Sequence, residues 1–311
     1  MLTVLFGLSG ALVYGFADFL GGLAARRVRA VTVAAVAAGV GIVPLLVGLA
    51  LVGGRFSAAA TLWGAVAGVS GGVGVLLLYR ALAIGPMSVL SPLTAVFAAV
   101  VPVLVAVARG TALSGLAIGA LVVALVAVVL VAAVRDTSGA RVTAVGLVTA
   151  AVAGCGFGGI VLAYDLTPSD SGVAPLIVSR VLQTVLLGAA AVVAALAGRS
   201  GGAGDPGTSA GVAGSAVPPG SSVRWSARWP VRLVAVVVAC GVLDALANVF
   251  IQAGLHSSED PGTLPVVSVL NALYPIGTVV LAGIVLRERL TAVQWTGIVL
   301  AFAASVGLAL A

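Results

Sequence analysis

Lysine is absent from this chain, and charge of either sign is scarce. Charged residues make up 8% of its 311 positions, and all fifteen basic residues are arginine. A soluble domain carries about 25% charged residues, so a water-exposed globular surface is excluded. Cysteine is limited to Cys155 and Cys240, and histidine to His256. That removes a disulfide framework and a thiol–imidazole metal site. Both cysteines lie in apolar runs and read as small buried side chains. No Walker loop, no His-Glu-x-x-His pattern and no aspartate-rich metal motif occurs. Those absences argue against ATP bound to this chain as an energy source and against metal-dependent chemistry. The chain is therefore not expected to be an enzyme, and neither cofactor nor metal is expected. The basic residues are spread over short connections rather than clustered, which speaks against a nucleic-acid partner despite a pI near 10.3.

Apolar residues fill the space that charge leaves. They make up 61% of the chain, and mean hydropathy is +1.28. A membrane-spanning helix needs about 20 such residues. That length predicts ten spans, near 3–23, 31–53, 60–82, 87–108, 113–134, 142–163, 174–197, 231–255, 263–286 and 291–311. The expected fold is all-α and polytopic, with the lipid bilayer as a partner and the plasma (inner) membrane as its place. The first apolar run has no basic segment before it, which predicts a retained helix rather than a cleaved signal peptide. One connection stands apart. Residues 198–230 are rich in Gly, Ser and Pro and predict a disordered linker. Trp225 and Trp229, with Arg224, Arg228 and Arg232, read as interfacial anchors for the helix that follows.

Ionisable groups inside a span cost about 2.5–3.5 kcal/mol each on insertion scales, so each is a functional candidate. Asp18 lies deep in the first span, with Tyr14 one turn before it and Gly7 and Gly10 further along that face. In the eighth span Asp244, Asn248 and Gln252 follow at i, i+4 and i+8 and share a face. The alternatives there are a substrate or proton path and a hydrogen-bonded seam between helices. In the seventh span Arg180 is accompanied by Gln183 and Thr184. A buried arginine needs an anionic partner, and Asp18, Asp244 or an anionic substrate group would serve. Snorkelling of Arg180 to the headgroups is the alternative. Asn271 and Tyr274 flank Pro275, which is expected to bend the ninth span and free a carbonyl there. Arg80 reads as interfacial and His256 as a solvated turn residue.

Two stretches resemble one another and a known family. Pro275, Glu288, Arg289, Leu290, Gln294 and Gly297 fit the C-terminal hairpin pattern of EamA-type carriers of the drug/metabolite transporter superfamily. Tyr79, Ala81, Leu82, Gly85, Ser91, Pro92 and Leu93 resemble that family's aromatic, Ala-Leu, Gly, Pro-Leu pattern. Tyr14-Gly15-Phe16-Ala17-Asp18 is similar to its first helix. Leu113-Ser114 before Gly119 parallels Leu290-Thr291 before Gly297, with one residue deleted. Glu288 has no counterpart in the first half, where Arg109-Gly110-Thr111 stands, and it reads as an interfacial ion pair or a proton site. Five spans precede Asp136 and five follow, so the second set is inverted, as in many secondary transporters. The expected repeats are 1–138 and 139–311, the second interrupted by the linker.

The resemblance implies a secondary carrier of a small organic solute working by alternating access. Proton coupling through Asp18 or Asp244 is consistent with carboxylates whose charged form is disfavoured in apolar surroundings. Uniport or exchange stays open, as does a homodimer. The competing readings are an intramembrane enzyme on a lipid-linked substrate and a structural membrane protein without a cavity. Twelve arginines lie in loops after odd-numbered spans, two after even-numbered ones, and Arg180 within a span. By the positive-inside rule both termini are then outside. Members of the family are usually described with both inside.

Overall fold

A computed structural model of the chain describes residues 1–25, 27–84, 87–131, 143–200, 229–277, 281 and 291–310. Residues 201–228 of the expected linker, Trp225 among them, and Glu288 with its flanking arginines lie outside the described residues, whereas 198–200 are helical and not linker. Arg80 and Gln294 fall within helices, but their side chains are likewise outside the description.

The helices are α1 (Leu2–Ala25), α2 (Ala30–Val52), α3 (Ala58–Ile84), α4 (Met87–Ala108), α5 (Gly115–Val131), α6 (Ala144–Asp165), α7 (Ala174–Ser200), α8 (Val231–Leu255), α9 (Thr263–Asn271) and α10 (Ala292–Leu310). A single 3₁₀ turn, Ser169–Ser171, precedes α7. Six of these helices carry stretches long and apolar enough to cross a membrane: α1, α2, α3, α6, α7 and α8. The apolar stretches of α4, α5, α9 and α10 are shorter among the described residues. Several helices begin where a hydroxyl supplies a cap. Ser57 Oγ accepts from the Ala60 amide at 3.1 Å, Ser114 Oγ from Ala117 at 3.0 Å, and Thr143 Oγ1 from Gly146 at 3.1 Å.

The ninth expected span is not one bent helix. It stops at Asn271, makes a tight turn at Ala272 and Leu273, and resumes at Tyr274. The amides of Leu273 and Ile276 bond three residues back, to Leu270 and Leu273. Pro275 has no N–H to offer the Asn271 carbonyl four residues earlier. The helix therefore tightens before the proline instead of bending at it.

Packing brings α1 against α8 and α9, α2 against α7 and α8, α3 against α6 and α7, α4 against α6 and α9, and α5 against α10. Small residues let these backbones meet, as expected where lipid removes the hydrophobic drive between helices. A Cβ on Gly156 would stand 2.9 Å from Gly74 Cα, and one on Gly10 would stand 2.7 Å from Ile251 Cδ1. Outward, side chains such as Leu51, Val193 and Phe302 are exposed, as lipid-facing positions should be. Cys155 is exposed as well, contrary to its expected burial, because it projects from the outer side of α6; Cys240 is buried.

Polar contacts gather the start of α1 and the loops after α2, α4, α6 and α8 at one end of the bundle. Arg55 pairs with Asp170 at 3.0 Å and Arg109 with Asp165 at 3.5 Å. Thr167 Oγ1 lies 3.4 Å from His256 Nε2, and Thr3 Oγ1 lies 2.7 Å from Ser257 Oγ. His256 is thus half-buried between two loops rather than solvated. Burial pushes its pKa below the usual histidine value, while hydrogen bonds to the Tyr164 and Thr167 backbone and the charge of Asp165 act to raise it. A histidine whose folded pKa lies below its unfolded value favours the fold above about 6.5, and that contribution is lost as pH falls through the folded pKa. We expect thermal stability to drop on acidification below pH 6.5, and His256→Gln to flatten that part of the profile. Equal slopes in both proteins would remove His256 from this role.

Candidate functional site

The polar residues singled out in the sequence converge on one cavity of about 110 Å³ inside the bundle. Tyr14 and Asp18 reach it from α1, Arg180 and Gln183 from α7, Asp244 and Asn248 from α8, and Asn271 and Tyr274 from the break after α9. Ala37, Gly71, Leu78, Phe157 and Ile160 supply apolar wall. The 3.6-residue period explains the grouping. Positions 14 and 18, 180 and 183, and 244 and 248 are each one turn apart and share a face.

Arg180 stands at the centre. Its side chain is 7% exposed, so it does not snorkel to the headgroups, and it pairs with the Asp244 carboxylate. It also donates from Nη1 to Gln183 Oε1 at 2.9 Å and from Nη2 to the Asp244 carbonyl at 3.4 Å. That carbonyl accepts from Asn248 Nδ2 at 2.8 Å. Of the two carboxylates offered by the sequence, Asp244 is therefore the partner. Asp18 is exposed to the cavity, and no ion pair with it is found among the described residues. Thr184 instead caps back onto the Arg180 carbonyl at 2.8 Å and packs against Gly39.

Gln252, the third residue of the α8 stripe, does not line the cavity. It lies one turn past Asn248 and donates from Nε2 to the Gly172 carbonyl at 2.8 Å. Tyr164, 1% exposed, is buried at the same end of the bundle. The loop after α2 completes this floor. A Cβ on Gly54 would stand 2.9 Å from the Ser171 carbonyl oxygen, and one on Gly172 would stand 2.7 Å from the Gly53 carbonyl oxygen. Gly172 has φ +52°, a backbone that glycine adopts without penalty. Sequence reading missed this glycine contact and the Arg109–Asp165 pair. The visible signals were the Gly-Gly pair at 53–54 and an aspartate placed at the very end of a span.

The buried floor, the central ion pair and the apolar outer shell belong to a protein that lives across a bilayer. Residues 210–310 match the model of the EamA-like transporter family. Over that C-terminal third the chain is similar to EamA-like transporters, which supports a place in the drug/metabolite transporter superfamily. With six helices long and apolar enough to cross a membrane, it is a multi-pass membrane protein. In the family match Pro275 and Gly297 are described, with Gly297 buried in α10. No curated protein matches the chain. Chains of solved structures do, 23 of them. One, titled only as the crystal structure of a protein, superposes with a TM-score of 0.70 over 99% of this chain and 96% of its own, at 15% identity. At that identity the likeness concerns the fold alone.

Proposed function

We propose that this protein is a secondary carrier that moves a small organic solute by alternating access. The observation that carries the reading is the cavity itself: charged and polar side chains from α1, α7, α8 and the α9 break meet in mid-bundle. A structural membrane protein has no need of an internal polar cavity with an exposed carboxylate. Residues with candidate substrate or coupling roles are Tyr14, Asp18, Arg180, Gln183, Asp244, Asn248, Asn271 and Tyr274, with Gln252 acting in the floor.

Two repeats, 1–138 and 139–311, give the reading a mechanical basis. Taking each helix to the one five places on turns the α1–α8 contact into α6–α3, α2–α8 into α7–α3, and α4–α6 into α9–α1. All of these pairs occur. Such exchange supports ten spans arranged as inverted repeats, whose rocking exposes a fixed site to either side. The cavity residues of α6, α7 and α8 sit toward the floor, and those of α1, α2 and α3 toward the ends that lead to the arginine-bearing loops. The opposite end is closed by the Gly53–Gly172 floor. The positive-inside rule then makes this a conformer open to the cytoplasm, with both termini outside.

Coupling falls to Asp18 in preference to Asp244. Arg180 already neutralises Asp244, whereas Asp18 can exchange a proton for substrate. The test is substrate-driven proton movement in liposomes holding a pH dye, screened with pools of organic solutes. Wild type is expected to move protons with substrate, and Asp18→Asn to abolish this. Uptake without proton movement, unchanged by Asp18→Asn and Asp244→Asn, would make the protein a uniporter or exchanger with structural aspartates. Absence of flux with every pool would remove the carrier reading.

A further inference from the structure

We infer that the solute recognised by this cavity is a small organic monocation, held by the carboxylate of Asp18. The inference rests on the carrier reading and adds the charge of what is carried. Six ionisable or phenolic groups among the described residues line the cavity: Asp18, Asp244, Arg180, Tyr14, Tyr274 and the Cys240 thiol. Arg180 gives its Nη groups to Asp244, Gln183 and a backbone carbonyl, and its buried Nε is left without a hydrogen-bond partner among the described residues. Its charge is nonetheless balanced by the Asp244 carboxylate. Asp18 is exposed to the cavity and meets no fixed cation among the described residues. With Asp18 ionised, the described lining thus carries one unit of unbalanced negative charge.

An uncompensated carboxylate inside a bundle is costly unless it is paired, so an entering cation is drawn in and an entering anion is repelled. The remaining wall suits the body of such a cation. Tyr14, Phe157 and Tyr274 offer aromatic surface, which favours ammonium groups through the ring quadrupole. Asn271 adds a buried Oδ1 with no hydrogen-bond partner among the described residues, an acceptor suited to an N–H or O–H donor and not to an anion. The volume, about 110 Å³, accommodates a small organic cation.

The test is equilibrium binding to the purified full chain in detergent, with solutes that share a shape and differ in charge. Choline and butylammonium serve as cations, 3,3-dimethylbutan-1-ol as the neutral isostere of choline, and 3,3-dimethylbutanoate as the anion. At least one cation is expected to bind saturably, at least about tenfold more tightly than the neutral isostere, a difference of roughly 1.4 kcal/mol. The anion is expected not to compete. Asp18→Asn should abolish the preference for the cation, while Asp18→Glu, which restores the charge, should keep it; melting temperature and gel filtration check that both variants fold. Binding of neither cation, equal binding of the isostere, or a preference unchanged in Asp18→Asn would overturn the inference. Cation binding without flux in liposomes would sink the carrier reading and leave the charge assignment standing. Flux of a neutral or anionic solute without cation binding would do the reverse.

Discussion

Arg180→Ala is expected to destabilise the protein by about 3 kcal/mol or more, and Asp244→Asn in the same chain is expected to recover most of that loss. Removing one partner of a buried ion pair leaves the other charge without compensation, which costs roughly 3–5 kcal/mol. The lower end applies here, because the Asp244 side chain keeps 25% of its surface open to the cavity. The truncation also strands Gln183 Oε1, which accepts from Arg180 at 2.9 Å. Neutralising Asp244 removes the orphaned charge, and Asn248 still donates to its backbone carbonyl. The measurement is a thermal melt of the purified protein in one detergent, for wild type, each single variant and the double. The expected order places Arg180→Ala lowest and the double variant above it. A single variant melting with wild type would show that the pair contributes little. A double variant no better than Arg180→Ala would move the loss from charge to packing of the arginine stem.

The pair illustrates what the chain made legible and what it did not. Charge is so rare in the spans that Asp18, Arg180 and Asp244 stood out at once, and helical period placed Tyr14, Gln183 and Asn248 beside them. Span limits were equally plain where apolar runs end at arginine or glycine: α4 and α8 begin and end where the hydropathy indicates. Partner choice was not legible, since two carboxylates on different helices were equally available to Arg180 and only helix packing separates them. Nor was the fate of Gln252. Periodicity puts it on the Asn248 face, but one more turn along α8 carries it past the cavity to the Gly172 carbonyl. The break at Ala272 and Leu273 came two residues before the proline that causes it, because the missing hydrogen bond belongs to the carbonyl four residues upstream. His256 was read as solvated, since nothing in its own loop foretells that Thr167, 89 positions away, packs against it.

Gly172→Ala is expected to open the floor of the cavity. A methyl group there would stand 2.7 Å from the Gly53 carbonyl oxygen and 3.0 Å from Gly54 Cα, so the loops after α2 and α6 could no longer seat against each other. Overpacking of this kind costs about 1–3 kcal/mol. It is relieved when the loops part, so the balance between closed and open floor shifts by roughly 5- to 150-fold. Residue 172 would also carry backbone strain, since its φ is +52°. Gly110→Ala separates the two effects: Gly110 has φ +92°, yet nothing lies within 4 Å of the Cβ it would gain. The chain supplies its own reporter in Cys240, which lines the cavity one turn from Asp244. Once Cys155, the other cysteine, is replaced by serine, a membrane-impermeant thiol reagent can be applied from either side. With an intact floor, Cys240 is expected to react from the side of the arginine-bearing loops and to be shielded from the other. With Gly172→Ala, labelling from the floor side should rise by the predicted factor, and with Gly110→Ala it should not. Equal labelling of Gly172→Ala and its Gly172 parent from the floor side would mean that the glycine contact does not hold the cavity shut. A rise in both alanine variants would assign the effect to backbone strain.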